Sequence, residues 1–260
     1  MPEETPIELV VTPVPRRPRL SGEVMLRKDR DAAIDALLAD VYIHASNCVR
    51  AFGDFQFAAS PSPSIEPVLM RLMYDPPYRE FPWTRTRLWI TDEEPLAPEA
   101  SPQPEGPRWR ALSDVLLEAS GIPREQAHPI PWSADAASLY TKTLRETLGW
   151  RPPGQDRLDF VLLGLEPSGD LGPVGRVSDE EHLLGLTPGP EPSIAMGRRL
   201  INSSRFVAVL GLGPERLPGV LAQEQATQRP THSGSGLFVP APAAGEVRWY
   251  LDHAACPARV

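Results

Sequence analysis

The sequence predicts an α/β protein, a mostly parallel sheet flanked by helices. Short apolar, β-prone runs at Asp54–Ala59, Arg87–Thr91, Leu158–Leu163 and Arg205–Gly211 read as strands. Amphipathic stretches between them read as helices. The strands recur at intervals of roughly 30–50 residues, as strand–helix–strand crossovers require.

The Leu158 stretch organises the chain. Leu158, Phe160, Val161, Leu162 and Leu163 form a nearly continuous apolar run, the pattern of a central parallel strand covered on both faces. Gly164 loosens the backbone, and Pro167, Ser168 and Gly169 turn the chain towards Asp170. Ligands of open α/β sheets bind outside the carboxyl ends of strands. Asp170 is therefore either a crevice residue or a solvated loop aspartate.

The elements follow in order. Ile7–Val11 is a short strand closed by Pro13 and Pro15, and Arg16, Arg17 and Arg19 form a small basic surface cluster. Asp29–Cys48 is a helix, with Ile34, Leu37, Leu38, Val41 and Tyr42 on one stripe and His44 at a boundary. In Asp54–Ala59, Phe55 and Phe57 alternate with polar neighbours. Ser60-Pro-Ser-Pro-Ser64 leads from that strand into a helix over about 65–73, the geometry of an anion-binding loop. Pro61 and Pro63 lack N–H groups, which makes the loop a poor anion cradle. Arg87–Thr91 ends in Asp92-Glu93-Glu94, three carboxylates that read as acid/base groups, cation ligands or a solvated acidic turn. A surface loop over 96–106 precedes a helix at Trp109–Ala119. A short extended segment at His128–Ile130 precedes a helix at Ala134–Leu148 lined by Leu139, Leu144 and Leu148.

Beyond Asp170 the chain predicts an irregular loop over 172–192, helix over Ser193–Ser204, strand at Arg205–Gly211 and helix at Leu217–Gln225. A short strand at Leu237–Val239 and a closing helix at Gly245–Ala255 complete it. Gly211-Leu-Gly213 reads as a tight turn.

Composition limits the function classes. The 260 residues carry a net charge of −8, which argues against a nucleic-acid surface and against a polybasic membrane contact. No apolar run approaches the ~18 residues of a membrane span. The N-terminus lacks a secretion-signal pattern, so a cytoplasmic protein is expected. The 32 prolines imply many rigid turns, and two cysteines, Cys48 and Cys256, make neither a disulfide framework nor a metal site.

Six segments, in this order, resemble the 6-phosphogluconolactonases of the glucosamine-6-phosphate isomerase group. Phe57–Pro67 stands at the family's strand, Ser-Gly-Gly-Ser-Thr-Pro loop and helix. Leu88–Pro95 is similar to its strand followed by Asp-Glu-Arg. Gly121-Ile-Pro-Arg-Glu-Gln-Ala-His-Pro-Ile130 is similar to Ile-Pro-x-Glu-Asn-x-His-x-Ile. Leu158–Asp170 resembles Phe-Asp-Leu-x-Leu-Leu-Gly-x-Gly-Pro-Asp-Gly-His, Leu200–Arg216 its Leu-Asn-x-Ala-Arg strand, and Gly245–Ala255 its Trp-x-Leu-Asp-x-Ala-Ala ending. The resemblance implies one Rossmann-like phosphosugar isomerase/lactonase domain over 1–260, with residues 1–20 as an extended N-terminal segment. It implies a small-molecule substrate, a sugar phosphate or lactone, opened by water within the pentose phosphate pathway, with no cofactor and no metal.

The resemblance also assigns the site. Asp170 takes the place of the family's base histidine, with Asp92 and Glu93 as further catalytic candidates. Ser60, Ser62, Ser64, Gly164, Gly169 and Arg216 are the substrate-binding candidates. Most departures share a direction: Asp170 replaces a histidine and Glu94 an arginine, an arginine near Ser193 is lost, and Pro61, Ser62 and Pro63 interrupt the glycine loop, while Ser168 replaces an aspartate. Each lost cation or added carboxylate disfavours a sugar phosphate. Two readings follow. One is a hydrolase using Asp170, its pKa raised by clustering with Asp92, Glu93 and Glu94, and with Arg198, Arg199 or Arg229 replacing lost phosphate contacts. The other is a catalytically silent or repurposed relative with a binding role. A cation held between Asp92, Glu93 and Asp170 is a third outcome, for which these motifs supply no histidine ligand.

Overall fold

The computed structural model describes residues 14–95, 97, 103–177, 183–188, 192–228 and 236–258. Its centre is a seven-stranded, all-parallel sheet built from β1 (Glu23–Arg27), β2 (Phe55–Ala59), β3 (Thr86–Ile90), β5 (Ala127–His128), β6 (Phe160–Gly164), β9 (Phe206–Gly211) and β10 (Glu246–Asp252). The strand order is β1-β10-β9-β6-β2-β3-β5. A second, antiparallel sheet joins β4 (Asp92–Glu93), β8 (Ile194–Met196) and β7 (Leu184–Leu186) in the order β4-β8-β7. The helices are α1 (Arg30–Phe52), α2 (Glu66–Tyr74), α3 (Pro107–Ser120), α4 (Ala136–Leu148), α5 (Arg198–Asn202) and α6 (Leu217–Gln228).

Local chemistry explains the elements. Asp29 caps α1 by accepting from the Ala32 N–H at 2.8 Å, and Gly53 ends it in the left-handed region at φ 86°. On α4 the buried positions are Ala136, Tyr140, Leu144 and Leu148, a strict four-residue spacing, while Leu139 is exposed. Tyr140 is the reason for that register. Its hydroxyl accepts from the Ile90 N–H at 3.1 Å and donates to the Ile90 carbonyl at 2.9 Å, pinning α4 to β3.

β2 differs from its alternating pattern. All five residues are buried, Gln56 included. The Gln56 amide is satisfied inside the core: it accepts from Trp89 Nε1 at 2.8 Å and donates to Asp54 at 2.7 Å. A buried polar side chain persists where its hydrogen bonds are made.

Several expectations are corrected. The Gly245–Ala255 segment is strand β10, not a helix. Val247, Trp249, Tyr250 and Leu251 are β-prone, and the strand fills the gap between β1 and β9. Residues 253–255 form only a short helical turn. The Ser193–Ser204 segment splits into β8 and α5, residues 237–239 join no ladder, and the 172–192 stretch contains β7. β1 is an addition to the expected strands: Val24-Met25-Leu26 is too short an apolar run to mark a strand, and pairing with β10 makes it one. Ile7–Val11 lies outside the described residues.

The amino ends of the central strands are tied by charge. Arg151, whose side chain is 0% exposed, pairs with Asp159 at 2.8 Å and Asp54 at 2.6 Å. Arg205 reaches Asp159 at 3.2 Å and Arg87 reaches Asp54 at 3.2 Å. The opposite end of the sheet is open. The chain runs outward from β2 to β3 and β5, then returns on the other side of β2 with β6, β9 and β10. That reversal leaves a crevice between the loops that follow β2 and β6.

Candidate functional site

A cleft of about 820 Å³ occupies this crevice. Ser60, Ser62, Asp92 and Asp170 line it, together with Arg108 and Arg176, which sequence reasoning did not single out.

The serine loop forms one wall. Ser60 is buried, and its N–H donates to the Leu162 carbonyl at 3.0 Å, tying the end of β2 to β6. The Ser62 carbonyl accepts from the N–H groups of Ile65 and Glu66 at 2.9 and 3.2 Å and so starts α2. The Ser62 and Ser64 hydroxyls bond each other at 2.9 Å, and only Ser62 faces the cleft. A Cβ at residue 164 would lie 2.5 Å from Ser64 Oγ and 3.0 Å from Ser62 Oγ, so Gly164 shapes this wall from behind.

The turn after β6 presents Asp170. Glu166 N–H donates to the Asp170 carbonyl at 2.8 Å, and Gly169 takes φ 92°, a left-handed conformation that favours glycine. The Asp170 carboxylate accepts from Ser168 Oγ at 2.7 Å, from Arg176 Nε at 3.2 Å and from Arg176 Nη2. Burial raises its pKa, but the hydrogen bonds from Arg176 and Ser168 and the Arg176 charge outweigh it. The net direction is down, opposite to the rise expected from clustered carboxylates. Asp170 faces a cation, and this decides the sign.

Asp92 and Glu93 are neither solvated nor convergent on Asp170. Asp92 is 1% exposed, accepts from Thr91 Oγ1 at 2.9 Å and pairs with Arg108. Burial raises its pKa, partly offset by Arg108 and Thr91. Glu93 turns away from the cleft to cap α3. It accepts from the N–H groups of Arg108 at 3.0 Å and Trp109 at 2.8 Å, and from its neighbour Glu94 at 2.8 Å. Burial raises the Glu93 pKa against those donors. Among the described residues, no group of three or more His, Cys, Asp or Glu is placed to hold a metal ion.

Cations reach the cleft from unexpected elements. Arg108, in the first turn of α3, extends to Ser193 Oγ at 3.4 Å and to Glu94 at 3.9 Å. Arg176 comes from the loop after β6. Arg216 sits outside the lining and meets Glu166 at 3.9 Å. Arg198 donates to the carbonyls of Gly175 at 2.7 Å and Gly236 at 3.1 Å, bracing the loop that carries Arg176. Arg199 is exposed, and Arg229 lies outside the described residues. Among the described residues, the lining sets four carboxylates, Asp92, Glu94, Glu166 and Asp170, against two guanidinium groups. A pair of arginines on a helix start and a loop carries no local pattern; six- and sixteen-residue offsets from Asp170 and Asp92 were the only available signal.

The family described as glucosamine-6-phosphate isomerases/6-phosphogluconolactonase matches residues 28–243. The "GDH/6PGL endoplasmic bifunctional protein" of Homo sapiens is 26% identical over 277 residues, covering 96% of this chain and 33% of the human protein. The chain spans about a third of the length of the curated relatives it matches. Among solved structures, the 6-phosphogluconolactonase of Thermotoga maritima aligns with a TM-score of 0.69 at 17% identity, covering 88% of this chain and 99% of that one. The 6-phosphogluconolactonase of Trypanosoma cruzi aligns with a TM-score of 0.70 at 16% identity, covering 91% and 96%. At these identities the structural likeness is one of fold. No helix among the described residues is long and apolar enough to cross a membrane.

Proposed function

The chain belongs to the glucosamine-6-phosphate isomerase/6-phosphogluconolactonase family, and from that premise we propose that it is a 6-phosphogluconolactonase-like hydrolase. It opens a phosphorylated sugar lactone of the 6-phosphogluconolactone kind to the sugar acid, a step of the pentose phosphate pathway. The observation that carries this reading is the position of Asp170, which faces the cleft at the strand reversal from the place of the family's base.

In this reading Asp170 takes a proton from water as the water oxygen bonds to the lactone carbonyl carbon. The ring carbon–oxygen bond then breaks, and the ring oxygen leaves as a hydroxyl with the proton returned from Asp170. General-base assistance is worth about 10²–10⁴-fold. A carboxylate held below its ordinary pKa delivers the lower part of that range. Ser60 and Ser62 offer hydroxyls to the sugar. Arg108 supports the phosphate assignment, because its guanidinium reaches Ser193, where the resemblance puts an arginine that this sequence lacks.

A second reading is favoured by one observation, the excess of carboxylates over guanidinium groups among the described lining residues. It is a family member that binds a sugar derivative without turning it over. Hydrolysis of freshly prepared 6-phosphogluconolactone, with the spontaneous rate subtracted, separates the two. A rate above background that Asp170→Asn abolishes supports the hydrolase; background alone from folded protein supports the binding protein. A small-molecule ligand and a cytoplasmic location belong to this proposal. The human relative's name is endoplasmic, so fractionation of the native host tests the location.

A further inference from the structure

The mechanism leaves the guanidinium of Arg176 without a role. Arg176 grips the carboxylate of Asp170 through Nε at 3.2 Å and through Nη2, a two-pronged contact to both oxygens. Its side chain is 48% exposed while that of Asp170 is 16% exposed. The guanidinium is therefore open to solvent and can turn towards a ligand. The other pair in the cleft differs: Asp92 is 1% exposed, and Arg108 is braced by Ser193 and Glu94.

Position follows from reach. A base acts on a water within hydrogen-bond distance, and that water lies about 3–3.5 Å from the carbon it attacks. Whatever carbonyl Asp170 serves must then lie beside Arg176. Charge follows the same path. When the proton arrives on Asp170, negative charge leaves the carboxylate and appears on the carbonyl oxygen. A guanidinium with five donors can meet both oxygens in turn. The stabilisation that weakens Asp170 as a base is thereby transferred to the oxyanion.

We propose that Arg176 is the group in the cleft that binds the C1 oxygen of the ligand: the lactone carbonyl, the oxyanion that forms from it, and the carboxylate of the sugar acid. This deepens the lactonase reading and rests on the cleft taking an aldonolactone or its acid. The water oxygen bonds to C1, the ring oxygen leaves with the proton carried by Asp170, and the new acid loses its own proton to solvent beside Arg176.

The test uses the whole chain and two probes that differ only at C1. 6-Phosphogluconate carries a carboxylate there, and glucitol 6-phosphate a hydroxymethyl group. Calorimetric titration of the wild type is expected to favour the carboxylate by about tenfold or more, as a charge-assisted bond does. Arg176→Gln removes that preference, Arg176→Lys restores part of it, and Asp170→Asn enlarges it by removing the competing carboxylate. In turnover, Arg176→Gln lowers kcat by on the order of 10²-fold with KM little changed. An unchanged preference in Arg176→Gln, an equal loss of both probes, or no binding of either by the wild type overturns the proposal. A preference that depends on Arg176, with no lactone hydrolysed, supports the C1 site and defeats the hydrolase reading alone.

Discussion

The two ends of the central sheet use the same chemistry to opposite effect. At the amino ends of β2, β6 and β9, Arg151, Arg205, Asp54 and Asp159 form a buried network. Phe52 lies against both guanidinium groups at 4.8 Å from each. At the carboxyl ends, Asp170–Arg176 and Asp92–Arg108 are also arginine–carboxylate pairs, but both arginines reach solvent. Burial decides the difference. A buried charge that loses its partner has nowhere to go, so the first network holds strands in register. Asp170–Arg176, partly exposed on both sides, can exchange its partner for water or for a ligand at little cost, whereas Asp92, 1% exposed, is bound to its arginine as the buried network is. Charge at the amino ends is structural, and at the carboxyl ends the Asp170–Arg176 pair is available.

Breaking the buried end gives the largest effect. Arg151→Met leaves Asp54 and Asp159 facing each other without their central cation, and a loss of about 3–5 kcal/mol is expected. Urea unfolding checks it; a midpoint shift equivalent to less than about 1 kcal/mol would mean the network is not structural.

His128 sharpens the comparison with a half-buried group that is kept uncharged. It stacks on Trp89 at 3.9 Å, and its buried Nε2 finds no hydrogen-bond partner among the described residues. Burial, aided by Arg87, lowers its pKa to about 4. The unfolded chain then takes up the proton first as pH falls. Stability is lost progressively below pH ~6.5, down to the folded value, by about 2–3 kcal/mol. Thermal unfolding from pH 7.5 to 4.5 should show a shallower decline for His128→Phe, which keeps the stack; parallel curves would contradict the assignment.

Glu93 is intermediate, a buried carboxylate held by helix N–H groups. Glu93→Gln keeps the shape and removes the charge at the start of α3. A loss of about 1–2 kcal/mol is expected, read from the same urea curves. Turnover should fall less than in Asp170→Asn, since Glu93 does not line the cleft. Equal losses of turnover would move Glu93 into the catalytic group.

Much of the fold is legible in the sequence because burial writes itself as apolar runs. β6 and β9 read as strands, and α1 reads from its apolar stripe. β10 does not, since Leu251-Asp-His-Ala-Ala255 has helix-forming residues and strand pairing is set by partners far along the chain. The cleft is half legible. Asp170 follows from its strand end, and Ser60 and Ser62 from the family resemblance. Glu93 does not, because an acidic triplet looks solvated until a helix N-terminus is folded onto it. Arg108 and Arg176 are legible only in three dimensions, where their partners give them meaning.

Asp170→Asn carries the smallest expected effect on stability. The carboxylate's pKa is lowered, so its contribution is present at neutral pH and is lost only as pH falls through the lowered value. For a pair this exposed it amounts to less than about 1 kcal/mol. The most direct measurement is therefore to take one preparation of Asp170→Asn and record its urea midpoint and its rate on 6-phosphogluconolactone beside wild type. A wild-type rate above background, an unchanged midpoint and a variant rate at background are expected of a charge kept for the ligand. A displaced midpoint, or a variant that turns over as fast as wild type, would contradict it.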